Sequence, residues 1–352
     1  MTGINKIRIG ESEFNIMPSL GSGLQFGTNI DNAHKLYINI GDAKADKASL
    51  PSPGMKIDHL GFVASRLRNH MVSVVITAYN VEAWIEQCVL SVCKQSLDDI
   101  EIIVVEDCST DGTRDVLARI REPRLKVLYN NTNVGAGTSR KRGIEAANGE
   151  YILLLDGDDW IDKDFIGELY AKAVAHDADI VSGGITIRRE DGSWEAHSCG
   201  DAIVEGDSKI EHFWKEKVVF MNNKLIRRSL HGRVPYCTRR FIEDTPVIIP
   251  MLHLANKVVY VDNAGYNYRM SKDSLTHQAS HFKYALFRAL CADDIISFFE
   301  ENDPEELKRL PLVEGYSQCI IDIKDCNPTA EMIAPYRDEW IEFSCRLIKR
   351  LC

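Results

Sequence analysis

Tyr151-Ile152-Leu153-Leu154-Leu155-Asp156-Gly157-Asp158-Asp159 decides how this chain is read. The apolar run has no polar break, which predicts a strand buried on both faces. It leads straight into three carboxylates, and Gly157 lets the backbone turn tightly among them. Clustered carboxylates repel one another unless a cation neutralises them. Hard divalent cations prefer oxygen ligands and bridge readily to phosphates. The tract alone leaves two readings open: a metal and phosphate site, or a solvated turn in which Asp159 caps the next helix.

Working outward, the same kind of strand recurs upstream at 72–77, 100–105 and 125–129. Helical spacing separates these runs. Residues 83–95 put Trp84, Cys88, Val89 and Val92 on one face. Residues 107–120 open with Ser109-Thr110-Asp111-Gly112, and 138–147 stop at Asn148-Gly149. Repeated βα units with near-continuous apolar strands predict an α/β fold: a mostly parallel sheet with helices on both faces. In such sheets ligands bind beyond the carboxyl ends of the strands. Three of those ends are polar here: Thr77-Ala78-Tyr79-Asn80, Glu106-Asp107 and the acidic tract.

The rest of the chain divides around this core. Residues 1–70 carry short alternating pieces such as Lys6-Ile7-Arg8-Ile9 and 35–40, broken by Gly, Ser, Asn and Pro; they predict a small β-rich appendage and linker. Residues 71–280 form the main domain. Residues 281–352 predict a helical C-terminal region, with Trp340, Ile341, Phe343, Leu347 and Ile348 interleaved with Arg346, Lys349 and Arg350. That last stretch suits packing onto the catalytic domain or, as the alternative, peripheral contact with a membrane surface or a partner.

Composition sets outer bounds. The 352 residues are 45% hydrophobic and 27% charged, enough for a substantial core, and the formal net charge is -10. That charge argues against a general nucleic-acid binder, which needs a basic stripe to displace counterions. The ten cysteines include no CxxC pair, which favours buried or free thiols in a reducing compartment over zinc or disulfides. Residues 1–10 contain no signal core, and no apolar stretch reaches the roughly 18 residues of a spanning helix. The expected location is cytoplasmic, with contact at most at the inner face of the plasma membrane.

Taken in order, the motifs resemble the family 2 glycosyltransferases. They are 72–80, then 101–112 (Glu-Ile-Ile-Val-Val-Glu-Asp-Cys-Ser-Thr-Asp-Gly), Asn133-Val134-Gly135, Arg140-Lys141-Arg142-Gly143, and Gly149-Glu150-Tyr151-Ile152 leading into the acidic tract. The resemblance covers about 71–276 and implies a GT-A fold. It also implies a metal-dependent, inverting transfer from a UDP-sugar to a glycan or lipid-linked acceptor, in the setting of bacterial capsule or envelope polysaccharide synthesis. It assigns Thr77, Ala78 and Tyr79 to the base and ribose, Asp107 to the uracil edge, and Glu106 to a position where the family commonly has Asp. Arg140 is assigned to electrostatic support of the nucleotide, and Asp156 and Gly157 to the ribose side of the acidic tract. Asp158 is assigned to Mn²⁺ or Mg²⁺, with Asp156 and His277 as further candidate ligands. Arg269 is placed near phosphate.

Glu243-Asp244 resembles the family's pair that supplies the general base, with Asp244 the first choice and Glu243 the second. An acceptor hydroxyl ionises far above neutral pH, so the reaction needs such a base. Plainer readings of these residues also stand at this point. Tyr79-Asn80 reads as a turn, Asp107 as a helix cap through Ser109 and Thr110, Arg140 as a solvated helix residue, and Glu243-Asp244 as a cap before Thr245-Pro246. Trp194 and Trp214 are candidates for stacking on sugar or for ordinary packing. Two other functions are open: a sugar nucleotidyltransferase, against which the missing early Gly-rich phosphate loop speaks, and a non-catalytic nucleotide- or carbohydrate-binding module.

Overall fold

The structure is a computed structural model; it describes residues 6–9, 12–15, 71–216, 220–239, 241–270 and 280–351. The chain divides into two compact units, Met1–Arg68 and Asn69–Cys352. In the first, β1 (Lys6–Ile9) pairs antiparallel with β2 (Ser12–Asn15). The expected strand at 35–40 lies outside the described residues.

The second unit is built on an eight-stranded sheet. Its nucleation is legible in β3 (Val72–Ala78) and β4 (Ile100–Glu106), β-branched runs buried along almost their whole length. These pair parallel with each other. β5 (Leu125–Tyr129) continues the sheet beyond β4, and β6 (Tyr151–Asp156) lies on the other side of β3, both parallel. Burying a side chain such as Val75, Ile103 or Leu154 contributes about 1.5–3 kcal/mol each, which fixes the centre of the sheet. Helices α1 (Ile85–Cys93), α2 (Thr113–Arg119) and α3 (Ala136–Glu145) connect these strands. Each falls within two to six residues of its sequence-based bounds, the largest shift being the start of α2.

Beyond β6 the sheet departs from pure βα repetition. The order is β11-β13-β8-β12-β6-β3-β4-β5. Here β8 is Ile180–Ser182, β11 Ala202–Glu205, β12 Lys224–Arg227 and β13 Lys257–Tyr260. β12 runs antiparallel between β6 and β8. Its first residues therefore sit beside the last residues of β6, which brings the loop before β12 to the polar edge. A second sheet, order β10-β9-β14-β7, is formed by Trp160–Ile161 (β7), Ile185–Arg189 (β9), Trp194–His197 (β10) and Tyr266–Met270 (β14).

Four further helices precede the C-terminal region: α4 (Phe165–His176), α5 (Lys209–Lys215), α6 (Arg228–His231) and α7 (Thr245–Leu254). The C-terminal region is helical as expected: α8 (His281–Asn302), α9 (Pro304–Arg309), α10 (Leu312–Asp325), α11 (Ala330–Ile333) and α12 (Arg337–Leu351). Phe282, Leu286, Phe287 and Leu290 of α8 pack with Tyr316, Cys319 and Ile323 of α10 and Phe343 of α12 in a cluster of their own. Arg346 and Arg350 of α12 face this bundle. Arg346 pairs with Asp293 at 2.8 Å and Asp294 at 2.7 Å, and Arg350 pairs with Asp293 and, at 2.9 Å, Glu300. Among the described residues no helix is long and apolar enough to cross a membrane. The nine described cysteines are free.

Candidate functional site

The acidic tract sits where β6 ends. Gly157 is needed there because its N–H donates to the Thr77 carbonyl at 2.9 Å, while a Cβ would stand 2.8 Å from that same oxygen. The close approach draws the ends of β3 and β6 together. Asp156 then receives three bonds: from Thr77 Oγ1 at 3.1 Å, Arg140 Nη2 at 2.9 Å and Asn222 Nδ2 at 2.6 Å. Burial pushes its carboxyl up, but Arg140 and these donors outweigh that and hold it below the usual range.

Asp158 and Asp159 have different environments. Asp158 is half-buried, and burial together with the Asp156 charge pushes its carboxyl up to about 6. Asp159 is buried and is not a helix cap; Asp164 precedes α4 instead. Its oxygens accept from Tyr266 Oη at 2.6 Å and from the Arg269 N–H at 2.8 Å. Burial, Asp158 and Asp156 together push it well up.

Arg140 is not the solvated helix residue of the plainer reading. It is 5% exposed, and its guanidinium joins three carboxylates. Nη2 donates to Asp156, and Nη1 donates at 2.7 Å to both Glu243 and Asp244, the latter 104 positions away in the chain. Burial alone would disfavour its charge, but the three carboxylates more than offset this. Glu243 is pushed up by burial and by Asp244, with Arg140 opposing. Asp244 Oδ2 meets the Met221 N–H at 3.5 Å. The pair is thus held against the acidic tract, and Asp244 also stands at the start of α7.

β3 and β4 form the other edge of the site. Ala78 is buried, and Tyr79 is 44% exposed just past the strand end. Asp107 is not a helix cap. Its Oδ1 accepts from Asn130 Nδ2 at 2.7 Å and the Val134 N–H at 2.9 Å, and its Oδ2 accepts from the Gly135 N–H at 2.8 Å. It holds the loop leading into α3. Glu106, grouped above with the nucleotide contacts, is fully buried and works behind the site. It accepts from the Ser109 N–H at 2.5 Å and Arg114 Nε at 2.6 Å. Burial alone would raise its carboxyl; these donors bring it below the usual range.

Arg269 is stacked between Trp84 at 3.8 Å and Trp160 at 4.6 Å, with Nε donating to the Asp158 carbonyl at 2.9 Å and Nη2 to Gln87 Oε1 at 2.9 Å. His277 lies outside the described residues. Trp194 is exposed on β10 with Arg188 over its ring at 5.6 Å, and Trp214 packs edge-on to Phe213. Sequence reasoning missed Asn222, Tyr266 and the Phe220–Tyr268 pair, whose rings stack at 5.8 Å. An alternating Tyr266-Asn267-Tyr268 strand was the available signal for the tyrosines. Nothing local announced Phe220 or Asn222, because only the antiparallel course of β12 brings them to this edge. Among the described residues no three His, Cys, Asp or Glu side chains converge to hold a metal by themselves.

Comparison with known proteins follows from this geometry. Residues 73–238 match the model of glycosyl transferase family 2. The chain is 31% identical to EpsH of Bacillus subtilis over 250 residues, 68% of this chain and 72% of that protein. It is 28% identical to the glycosyltransferase GlyA of Streptococcus pneumoniae over 58% of this chain, a match that spans only 31% of GlyA. The fold matches the S. aureus TarS 1–349 structure in complex with UDP-GlcNAc with a TM-score of 0.58 at 23% identity, covering 70% of this chain and 72% of that one. The mixed sheet, mostly parallel at its centre, is therefore the GT-A architecture. The chain belongs to glycosyl transferase family 2 and is a glycosyltransferase.

Proposed function

We propose that this glycosyltransferase moves a sugar from a UDP-sugar to a hydroxyl of a glycan or lipid-linked acceptor, with inversion, in bacterial envelope polysaccharide synthesis. The observation that carries the reading is the Arg140 bridge, which sets Glu243 and Asp244 against Asp156 at the end of β6. One side of the tract faces the β3–β4 edge, where Thr77, Tyr79 and Asp107 would meet the nucleoside; Asp156 would take the ribose. The other side carries a base. The acceptor oxygen attacks the anomeric carbon, the bond from that carbon to the diphosphate oxygen breaks, and UDP departs with the bonding pair. The acceptor proton passes to Asp244. Asp244 and Glu243 each have one oxygen tied to Arg140 at 2.7 Å and one off it; Asp244 is taken as the base, as the family resemblance implies, with Glu243 the second choice.

The residues fit a divalent cation delivered with the donor. A hard cation is commonly held by one or two carboxylates plus substrate phosphates, so a preassembled cluster of protein ligands is not required. Asp158, raised by burial and by Asp156, is a carboxylate that a cation would relieve. Asp158 would hold Mn²⁺ or Mg²⁺, with Asp156 adjacent, and the ion would stabilise charge on the departing diphosphate. UDP release from a panel of UDP-sugars with Mn²⁺ tests the reading. Release is expected to require the metal and to fall at least 10³-fold in Asp158→Ala, on the order of 4 kcal/mol of transition-state stabilisation. Undiminished release with the metal chelated, or pyrophosphate release from NTP and sugar phosphate, would overturn it.

A further inference from the structure

The loop entering β12 addresses three parts of the site with three consecutive residues. Asn222 Nδ2 bonds Asp156 at 2.6 Å, the Met221 N–H meets Asp244 at 3.5 Å, and the Phe220 ring stacks on Tyr268 at 5.8 Å with 23° between planes. The backbone of Phe220 is pinned, because the buried Lys224 ammonium donates to its carbonyl at 2.7 Å. Tyr268 is equally fixed. It lies on β14 two residues after Tyr266, whose hydroxyl bonds Asp159, and one before Arg269, whose N–H bonds Asp159. Yet Phe220 is 37% exposed. An aromatic ring backed by a second ring and partly open to solvent, on the loop that also reaches Asp244, is a surface that can receive a flat apolar face.

Topology says which substrate lies there. In the sheet order β12-β6-β3-β4, the nucleoside edge is on the β3–β4 side of Asp156 and Phe220 is on the β12 side. We propose that Phe220, backed by Tyr268, is the platform on which the acceptor's sugar ring stacks, placing its hydroxyl toward Asp244. The inference rests on the transferase reading above. It also narrows the acceptor class. The electron-rich face of an aromatic ring attracts the C–H face of a pyranose. The acceptor is therefore a pyranose rather than an open polyol phosphate chain, which offers no such ring face.

Two readouts on the full chain test this. In saturation-transfer NMR, methyl β-D-glucopyranoside and methyl β-D-galactopyranoside should receive saturation at their ring C–H face, and ribitol 5-phosphate should not. Phe220→Leu, which keeps an apolar side chain without the face, should lose the signal, and Phe220→Trp should retain it. In the UDP-release assay with the same glycosides as acceptors, Phe220→Leu should raise the acceptor KM tenfold or more. Donor KM and the UDP-induced rise in melting temperature should stay within twofold of wild type. An unchanged acceptor KM in Phe220→Leu, a raised donor KM, or preference for ribitol 5-phosphate would overturn the platform. A wild type that shows the NMR contact but releases no UDP would overturn the transferase reading and leave the platform standing.

Discussion

Arg140 shows how much one side chain decides. A single guanidinium serves three carboxylates from β6 and the segment before α7, and it is almost wholly removed from water. Removing one member of such a buried set leaves the others uncompensated, which costs about 3–5 kcal/mol. Arg140→Met should lower the urea midpoint accordingly and abolish turnover, whereas Lys141→Ala should leave both unchanged, since Lys141 is exposed and reaches only Glu145 at 3.9 Å. His231 gives a pH signature. It is buried against Tyr236, and burial pushes its ring down to about 3. Between that value and the roughly 6.5 of an unfolded histidine, the unfolded chain binds the proton and the native one does not. Stability should therefore fall as pH drops below about 6.5, by about 2 kcal/mol at pH 5 from this residue alone. Comparing urea midpoints at pH 7 and pH 5 checks it: the difference should shrink in His231→Gln, and an equal difference in both proteins would contradict the assignment. The carboxylates of the site were readable as sequence because chemistry marks them. Their partners were not, since Asn222 and Tyr266 are ordinary residues whose meaning depends on which strands become neighbours.

At the scale of elements, the site depends on how closely α3 lies on the sheet. Gly143 makes this possible: a Cβ there would collide with Val75 Cγ1 on β3 and crowd Val105 on β4. Gly143→Ala should cost about 1–3 kcal/mol of stability by overpacking. It should also lower kcat, because Arg140 sits one helical turn earlier on the same helix. A urea midpoint equal to wild type would show that the helix moves away freely. The four strands of the first half were legible because each is a near-continuous apolar run between helical periodicities. β12 was not. Lys224-Leu225-Ile226-Arg227 is short, begins with a buried lysine and pairs antiparallel, so neither its length nor its pattern fits the βα repeat around it. The cost of missing it was the loop before it, with Phe220, Met221 and Asn222.

Across the whole molecule, the C-terminal helices bear on one of the alternatives left by the sequence. Arg346 and Arg350 of α12 are ion-paired to α8, while Trp340 and Phe343 pack inward with Phe282. With a formal net charge of -10, the full chain should stay with the bulk in a flotation assay on anionic vesicles, and truncation after residue 336 should destabilise it rather than free it from a surface. Co-flotation of the full chain that is lost on truncation would restore the membrane reading. The central claim is a division of labour: the end of β6 holds the donor, and the pair before α7 activates the acceptor. Asp244→Asn tests it most directly, because asparagine keeps an oxygen for the Arg140 bond while losing the proton acceptor and its charge. We expect this variant to bind UDP with Mn²⁺ within twofold of wild type by calorimetry while its UDP release falls at least 10³-fold. Turnover at the wild-type rate, or loss of UDP binding together with turnover, would contradict the account.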